Sequence, residues 1–304
     1  MRRAVEIDVD GHKVKLSSLE KVLYPEAGFT KGHVFDYYTN IAPLILPHLK
    51  DRPLTLKRYP YGVNGPHFYE KQCPPHRPDW IKLGPMWSEN KGRNIDFCIV
   101  DDLASLLWAV NLGVLEMHPT LAVRQDVHRP TTLAFDLDPG EPAGLIQCCC
   151  VALWIRDLFE ELGLKTFPKT SGSRGMQIYA PLNVPNVTFE QTKPFAHAIA
   201  QLIEKQHPEL VVSKMRKDLR RGKVFIDWSQ NDYFKSTVCA YSLRAKTQRP
   251  TVSTPLTWEE VERAYKHGEP KAFYFEHDDV LKRVEKLGDL FRPVLKLKQR
   301  LPTL

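Results

Sequence analysis

The segment Thr131-Thr132-Leu133-Ala134-Phe135-Asp136-Leu137-Asp138-Pro139-Gly140 constrains the fold more than any other stretch of the chain. Large apolar residues alternate with small or acidic ones, which is the period of a β-strand whose side chains point to opposite faces in turn. Leu133, Phe135 and Leu137 share a core face, and Ala134, Asp136 and Asp138 share the other. Pro139 and Gly140 stop the strand. Two carboxylates on one face of a strand tip repel each other unless a cation lies between them. Oxygen donors of this kind suit a hard divalent metal.

A second strand is expected at Lys223–Trp228, where Val224, Ile226 and Trp228 share a face and Asp227 lies on the opposite one. Beside the first strand, Asp227 would complete a three-carboxylate cluster that holds two metal ions about 3.5–4 Å apart. On its own it is a surface carboxylate.

The rest of the chain interleaves strands and helices, an α/β (α+β) pattern. Residues 5–16 alternate around Asp10-Gly11, a hairpin signal. A short helix is expected around Leu19 and Val22, and a longer one capped by Thr30 that carries Phe35, Tyr38 and Ile41. Residues 53–59 read as a strand, and 60–87 as mostly loop. Asp101 or Asp102 caps a helix ended by Gly113, and a strand over 114–118 ends at His118. Further helices are expected at 143–162 and 188–206, from Thr257 to Gly268, and from about Asp278. Strands near 165–169 and 176–180 flank Ser171-Gly172-Ser173-Arg174-Gly175.

The chain has 304 residues and a net charge of +7, and its basic residues recur beside aromatics, which favours a polyanionic partner. There is no apolar run long enough to span a membrane. The start, Met1-Arg2-Arg3-Ala4-Val5-Glu6, turns polar and acidic, unlike a signal peptide. Six cysteines form no disulfide pattern, and Cys148, Cys149 and Cys150 fall in a helical stretch as small packing residues. A reducing cytoplasm fits. Cys73-Pro74-Pro75-His76 has the spacing of half a zinc site, but no second pair stands near it.

The glycine-serine-arginine turn offers backbone amides, hydroxyls and the Arg174 fork to a phosphate. It lacks the ending of a Walker loop, and a flexible hairpin turn is the alternative. Phe68 and Tyr69, followed by Lys71, suit stacking on a base or plain packing. His118, Lys57, Lys235 and Arg244 are individually compatible with solvated or structural roles. Lys214-Met215-Arg216-Lys217-Asp218-Leu219-Arg220-Arg221 is a basic stretch.

Taken in order, these pieces resemble the polymerase domain of bacterial DNA ligase D and its stand-alone archaeal relatives, within the archaeo-eukaryotic primase superfamily. The resemblance runs through Lys21-Val22-Leu23-Tyr24-Pro25-Glu26, Thr30-Lys31-Gly32, Arg52 to Pro60 and Phe68-Tyr69-Glu70-Lys71. It continues through Asp136-Leu137-Asp138-Pro139-Gly140, Thr170 to Gly175, Asp227-Trp228-Ser229-Gln230-Asn231, Tyr241 to Ala245 and Val252 to Leu256.

The resemblance implies a primase-like core, with a mixed or antiparallel sheet that bears the acidic triad and is flanked by helices. It implies one catalytic domain over 1–304, with a DNA-binding portion to about 100, a core over 101–256 and a helical region from 257. The implied activity is template-dependent gap filling at double-strand breaks in non-homologous end joining. The implied substrates are NTPs or dNTPs, with ribonucleotides preferred, and the implied cofactor is two Mn2+ (or Mg2+) ions. Asp136, Asp138 and Asp227 become metal ligands. Ser171, Ser173, Arg174 and Arg244 hold the triphosphate, with Lys57, His118, Gln177 and Lys235 in the nucleotide site. Lys21 and Lys31 bind the 5′-phosphate of a gap, Phe68, Tyr69 and Lys71 lie by the template, and Arg220 and Arg221 contact the DNA end. Implied partners are broken DNA, a Ku-type protein and a separate DNA ligase, in the cytoplasm at the nucleoid and with no membrane. Relatives usually have histidine where this chain has Gln177, which brings neither charge nor a titratable proton to the site. A replicative primase usually carries a zinc insertion, which this chain lacks. A non-catalytic end-bridging module would not need an acidic triad.

Overall fold

The computed structural model of the protein describes residues 4–302. Among these there are seven α-helices: α1 (Lys31–Leu49), α2 (Leu103–Asn111), α3 (Leu145–Glu161), α4 (Phe189–Gln206), α5 (Trp258–His267), α6 (His277–Leu287) and α7 (Arg292–Lys296). The chain forms two compact units. One comprises the described residues up to Gln125, with Ser236–Val252 and Glu276–Lys286. The other comprises Asp126–Lys235, Ser253–Phe275 and the described residues from Leu287 on.

In the first unit, β1 (Ala4–Val9) and β2 (His12–Ser17) form the expected hairpin, with Asp10 and Gly11 both at positive φ as the tight turn requires. The helix expected around Leu19 and Val22 is instead a turn at Leu19 followed by a strand. β3 (Val22–Tyr24) pairs with β4 (Phe29–Thr30) across a short 3-10 turn. A three-residue apolar run has no period that separates helix from strand, and the nearby partner decides it.

The main sheet of this unit is antiparallel. It contains β5 (Leu54–Arg58), β6 (Phe68–Glu70), β7 (Leu83–Ser88) and β8 (Arg93–Cys98) in the order β6-β5-β8-β7, and β9 (Val114–Pro119) also pairs with β5. The stretch read as mostly loop thus contains β6 and most of β7. A short β10 (Ala122–Val123) follows. Thr30 caps α1 reciprocally with His33, and Asp102 caps α2 by accepting from the Ser105 amide at 2.7 Å. Three buried tyrosines of this unit donate to backbone carbonyls: Tyr24 to Arg244 (2.9 Å), Tyr37 to Tyr241 (2.7 Å) and Tyr38 to Leu115 (2.6 Å). Tyr38 also accepts from the Leu243 amide (3.2 Å), so all three fasten the returning segment 241–244 in place.

Cys73 and Cys98 are joined by a disulfide. This corrects the expectation of unpaired cysteines, and it removes Cys73 from any zinc site. Cys148, Cys149, Cys150 and Cys239 are buried and form no disulfide.

The second unit holds β11 (Asp126–Pro130), β12 (Thr132–Pro139), β13 (Phe167–Thr170), β14 (Met176–Pro181), β15 (Val211–Val212) and β16 (Val224–Asp227). Five of these make a mixed sheet in the order β13-β14-β12-β16-β15, antiparallel except for the parallel β15–β16 pair. Leu133, Phe135 and Leu137 are fully buried with Val224 and Ile226 against Cys148, Cys149, Ala152, Ile155 and Phe159 of α3 and Phe195 and Ile199 of α4. Each such large side chain contributes roughly 1.5–3 kcal/mol of burial. The apolar face therefore locks β12 and turns its acidic face away from the core. No helix of the described residues is long and apolar enough to cross a membrane.

Candidate catalytic and nucleic-acid site

In the second unit, four adjacent strands bring one residue each into a single register row. Lys169 of β13 faces Gln177 of β14, Gln177 faces Asp136 of β12, and Asp136 faces Asp227 of β16. Asp138 lies two residues further along β12, exposed, opposite Phe225. Burial first, then Asp138 and Asp227, push the Asp136 carboxyl up to about 7, while Gln177 and Lys169 oppose the shift. Asp227 is held by three donors: the Ser229 amide (3.0 Å) and hydroxyl (2.6 Å) to Oδ1, and Gln230 Nε2 to Oδ2 (2.7 Å). Fully buried Asn231 accepts from the Ala134 amide (2.9 Å) and donates to its carbonyl (2.7 Å), so its side chain substitutes for a paired strand against β12. The motif Asp227-Trp228-Ser229-Gln230-Asn231 is thus a clamp on the acidic strand.

Among the described residues no three His, Cys, Asp or Glu side chains converge into a ready-made metal cage. The donor set still fits a hard divalent cation. It is all oxygen, and the burial and mutual repulsion that raise Asp136 are both offset by positive charge.

Two glycines shape the tip of β12. A Cβ on Gly175 would lie 2.1 Å from the Leu137 carbonyl oxygen, and one on Gly140 would lie 2.0 Å from that of Arg220. In the turn between β13 and β14, Ser171 Oγ accepts from the amides of Ser173 (3.3 Å) and Gly175 (3.2 Å). Arg174 is exposed and pairs with Glu141 at 2.6 Å. Lys169, which sequence reasoning missed, is fully buried, and its Nζ donates to Ser253 Oγ at 2.6 Å. Arg220 stacks 3.7 Å from the Phe225 ring and donates to the Met215 carbonyl (2.8 Å), while Arg221 and Lys235 are exposed.

The first unit holds Lys57, His118 and Arg244 around one carboxylate that sequence reasoning also missed. Glu116 is fully buried, 3.1 Å from Lys57 Nζ, 2.9 Å from His118 Nε2 and 2.9 Å from an Arg244 nitrogen. Burial alone would raise its carboxyl, but Arg244, His118 and Lys57 outweigh that and hold it well below the usual carboxylate range. The available signal was a lone acid in the apolar run Val114-Leu115-Glu116-Met117. Phe68 and Tyr69 are exposed on β6, and Lys57 Nζ lies 5.0 Å from the Tyr69 ring centroid. Lys71 follows, half-buried.

Lys21 and Lys31 share a cavity of about 150 Å3 with Ser18, Tyr59, Asn111 and Gly113. Lys31 Nζ donates to the Ser17 carbonyl (2.9 Å) and to the Asn111 carbonyl (2.7 Å) and Oδ1 (2.8 Å). Lys21 Nζ donates to the Pro60 carbonyl. Burial, then the Lys21 charge, lower Lys31 to about 8.

A mixed sheet carrying facing aspartates between helices is the architecture of a primase-like nucleotidyltransferase. Residues 30–291 match the family described as LigD, primase-polymerase domain. The chain is 39% identical over 284 residues to the multifunctional non-homologous end joining protein LigD of Mycolicibacterium smegmatis, covering 93% of this chain and 36% of that protein. It is 30% identical over 277 residues to the bifunctional non-homologous end joining protein LigD of Bacillus subtilis, covering 91% and 43%. Among solved structures, it is similar to the polymerase domain from Mycobacterium tuberculosis ligase D in complex with DNA. There the TM-score is 0.85 and the identity 37%, covering 94% of this chain and 99% of that one. The chain belongs to the LigD primase-polymerase domain family of nucleotidyltransferases. It spans little more than a third of the mycobacterial relatives it matches.

Proposed function

We propose that this chain fills short gaps at DNA double-strand breaks in non-homologous end joining, adding ribonucleotides in preference to deoxynucleotides under template direction. The observation that carries the reading is the register pairing of Asp136 with Asp227 beside Asp138, on a face that repulsion prepares for cations. Asp136, Asp138 and Asp227 would hold two Mn2+ or Mg2+ ions. Bound there, the metals would activate the attacking hydroxyl and neutralise charge on the leaving pyrophosphate.

The chain's own groups do the rest. Ser171, Ser173 and Arg174 present donors to the triphosphate, and Gln177 holds Asp136 by a neutral hydrogen bond. Lys57, His118 and Arg244 supply further cationic donors; Arg244 Nε is buried without a hydrogen-bond acceptor, as suits a group that receives an anion. Lys235 adds positive charge for the nucleotide. The Lys21–Lys31 cavity is large enough for a phosphate group and cationic, which supports recognition of a downstream 5′-phosphate. Phe68 and Tyr69 offer stacking faces for the template, with Lys71 beside them, and Arg220 and Arg221 suit backbone phosphates at the DNA end. A Ku-type protein and a separate ligase would complete repair at the nucleoid.

Gap filling with ribo- and deoxynucleotides in Mn2+, comparing wild type with Asp138→Ala, tests the proposal. Extension that survives the substitution overturns it. The Lys21→Ala/Lys31→Ala variant should erase the advantage of a 5′-phosphorylated gap. Binding should weaken with salt by a slope of about −0.9 per phosphate neutralised.

A further inference from the structure

We propose that Glu116 is a positioning residue, the single buried carboxylate that sets Lys57, His118 and Arg244 in the arrangement that receives the nucleotide. The inference rests on the nucleotide role given above to those three cationic groups, and adds what holds them.

The arrangement begins with strand register. Lys57 on β5 is the direct partner of Glu116 on β9, and both side chains are buried. His118 lies two residues along the same strand, so it shares the face of Glu116. Arg244 reaches the same carboxylate from the segment that the three tyrosines fasten. Glu116 Oε1 accepts from Lys57 Nζ (3.1 Å), from the Tyr59 hydroxyl (3.0 Å) and from the Ala245 amide (3.2 Å). Oε2 lies 2.9 Å from His118 Nε2 and 2.9 Å from Arg244. One carboxylate therefore touches both strands, the returning backbone and every cationic side chain of the cluster.

The charge count gives this a purpose beyond stability. Lys57 and Arg244 carry two positive charges against one negative, so the cluster keeps a buried surplus that only an anion can complete. Arg244 pairs with Glu116 through one terminal nitrogen, while its buried Nε has no hydrogen-bond acceptor. The His118 contact also fixes a tautomer. With Glu116 at Nε2, the neutral ring keeps its proton on Nε2. A glutamine at position 116 would offer one acceptor where five donors converge and would leave Lys57 and Arg244 to repel each other.

The test uses nucleotide titrations of gap filling together with His118 ring 15N NMR. Glu116→Gln should raise the nucleotide KM about tenfold or more, with kcat and affinity for gapped DNA changed less than about threefold, and Glu116→Asp should recover part of the loss. The 15N spectrum should show the Nε2–H tautomer in wild type and a mixture in Glu116→Gln. The charge-balanced Glu116→Gln/Lys57→Met variant covers the case in which the single substitution does not fold. Its nucleotide KM should exceed that of Lys57→Met alone, because His118 and Arg244 lose their anchor as well. A folded Glu116→Gln with a KM rise well short of tenfold overturns the inference. So does a double variant no weaker than Lys57→Met, or a wild-type His118 protonated on Nδ1. If wild type itself takes no nucleotide, the proposed function fails instead, while the tautomer still decides the role of Glu116.

Discussion

Asp136 and Asp227 are direct register partners on neighbouring antiparallel strands, so their carboxylates leave the same face of the sheet about one strand spacing apart. Raising Asp136 from 3.8 to about 7 means that its charged form is disfavoured in the fold, so stability at this site is lost as pH rises from about 4 through 7. Asp136→Asn removes that penalty. In chelator at pH 7.5 the variant should be more stable than wild type, by on the order of 1–2 kcal/mol. It should also lose at least about a hundredfold in extension. Urea melts beside primer-extension rates check both, and a variant less stable than wild type would contradict the repulsion.

Gln177 sits between Lys169 and Asp136 and cannot titrate. Gln177→His places a group of pKa near 6.5 beside the carboxylates. Its extension rate should gain a pH limb between about 5.5 and 7.5 that wild type lacks. Rate profiles of the two proteins that superimpose would refute this.

Lys31 loses its proton in the free protein near pH 8, whereas a phosphate monoester is already doubly charged above about 6. The preference for a 5′-phosphorylated gap should therefore hold to about pH 8 and decline above it. The midpoint should move upward as bound phosphate stabilises the ammonium. The sign for stability is opposite to that of Asp136: the burial penalty is full below pH 8 and is relieved as pH rises towards 10.5. Competition between phosphorylated and unphosphorylated gaps from pH 7 to 9.5 measures the effect.

The Cys73–Cys98 bond closes a loop with a sequence separation of 25. By chain-entropy arguments Cys98→Ser should cost about 3 kcal/mol. Thiol counting under denaturation should find four reactive cysteines before reduction and six after.

Much of the second unit was legible because its signals are local. The alternation of Leu133 to Asp138 named a strand, its faces and its end, and Asp227 carried the same pattern. What hid was pairing over distance. Glu116 looks unremarkable until β5 and the returning segment bring Lys57 and Arg244 to it, and no spacing rule links Cys73 to Cys98. β6 escaped notice in a proline-rich stretch because a three-residue strand has too little period to register. Nothing in the sequence set Lys169 apart, although the fold buries it completely.

Gly140 and Gly175 have a bearing on how distant members of this family should be judged. Acidic residues at a strand tip can be lost and the backbone still stand, as in any inactivated enzyme. A side chain at either glycine would meet a carbonyl at 2.0 or 2.1 Å, which no rotamer relieves. The glycines therefore report whether a divergent chain still builds this turn, and the aspartates report only whether it still uses it. An alignment that keeps both glycines but drops an aspartate points to a retained scaffold put to another purpose. One that keeps the aspartates without the glycines has most simply been aligned in the wrong register.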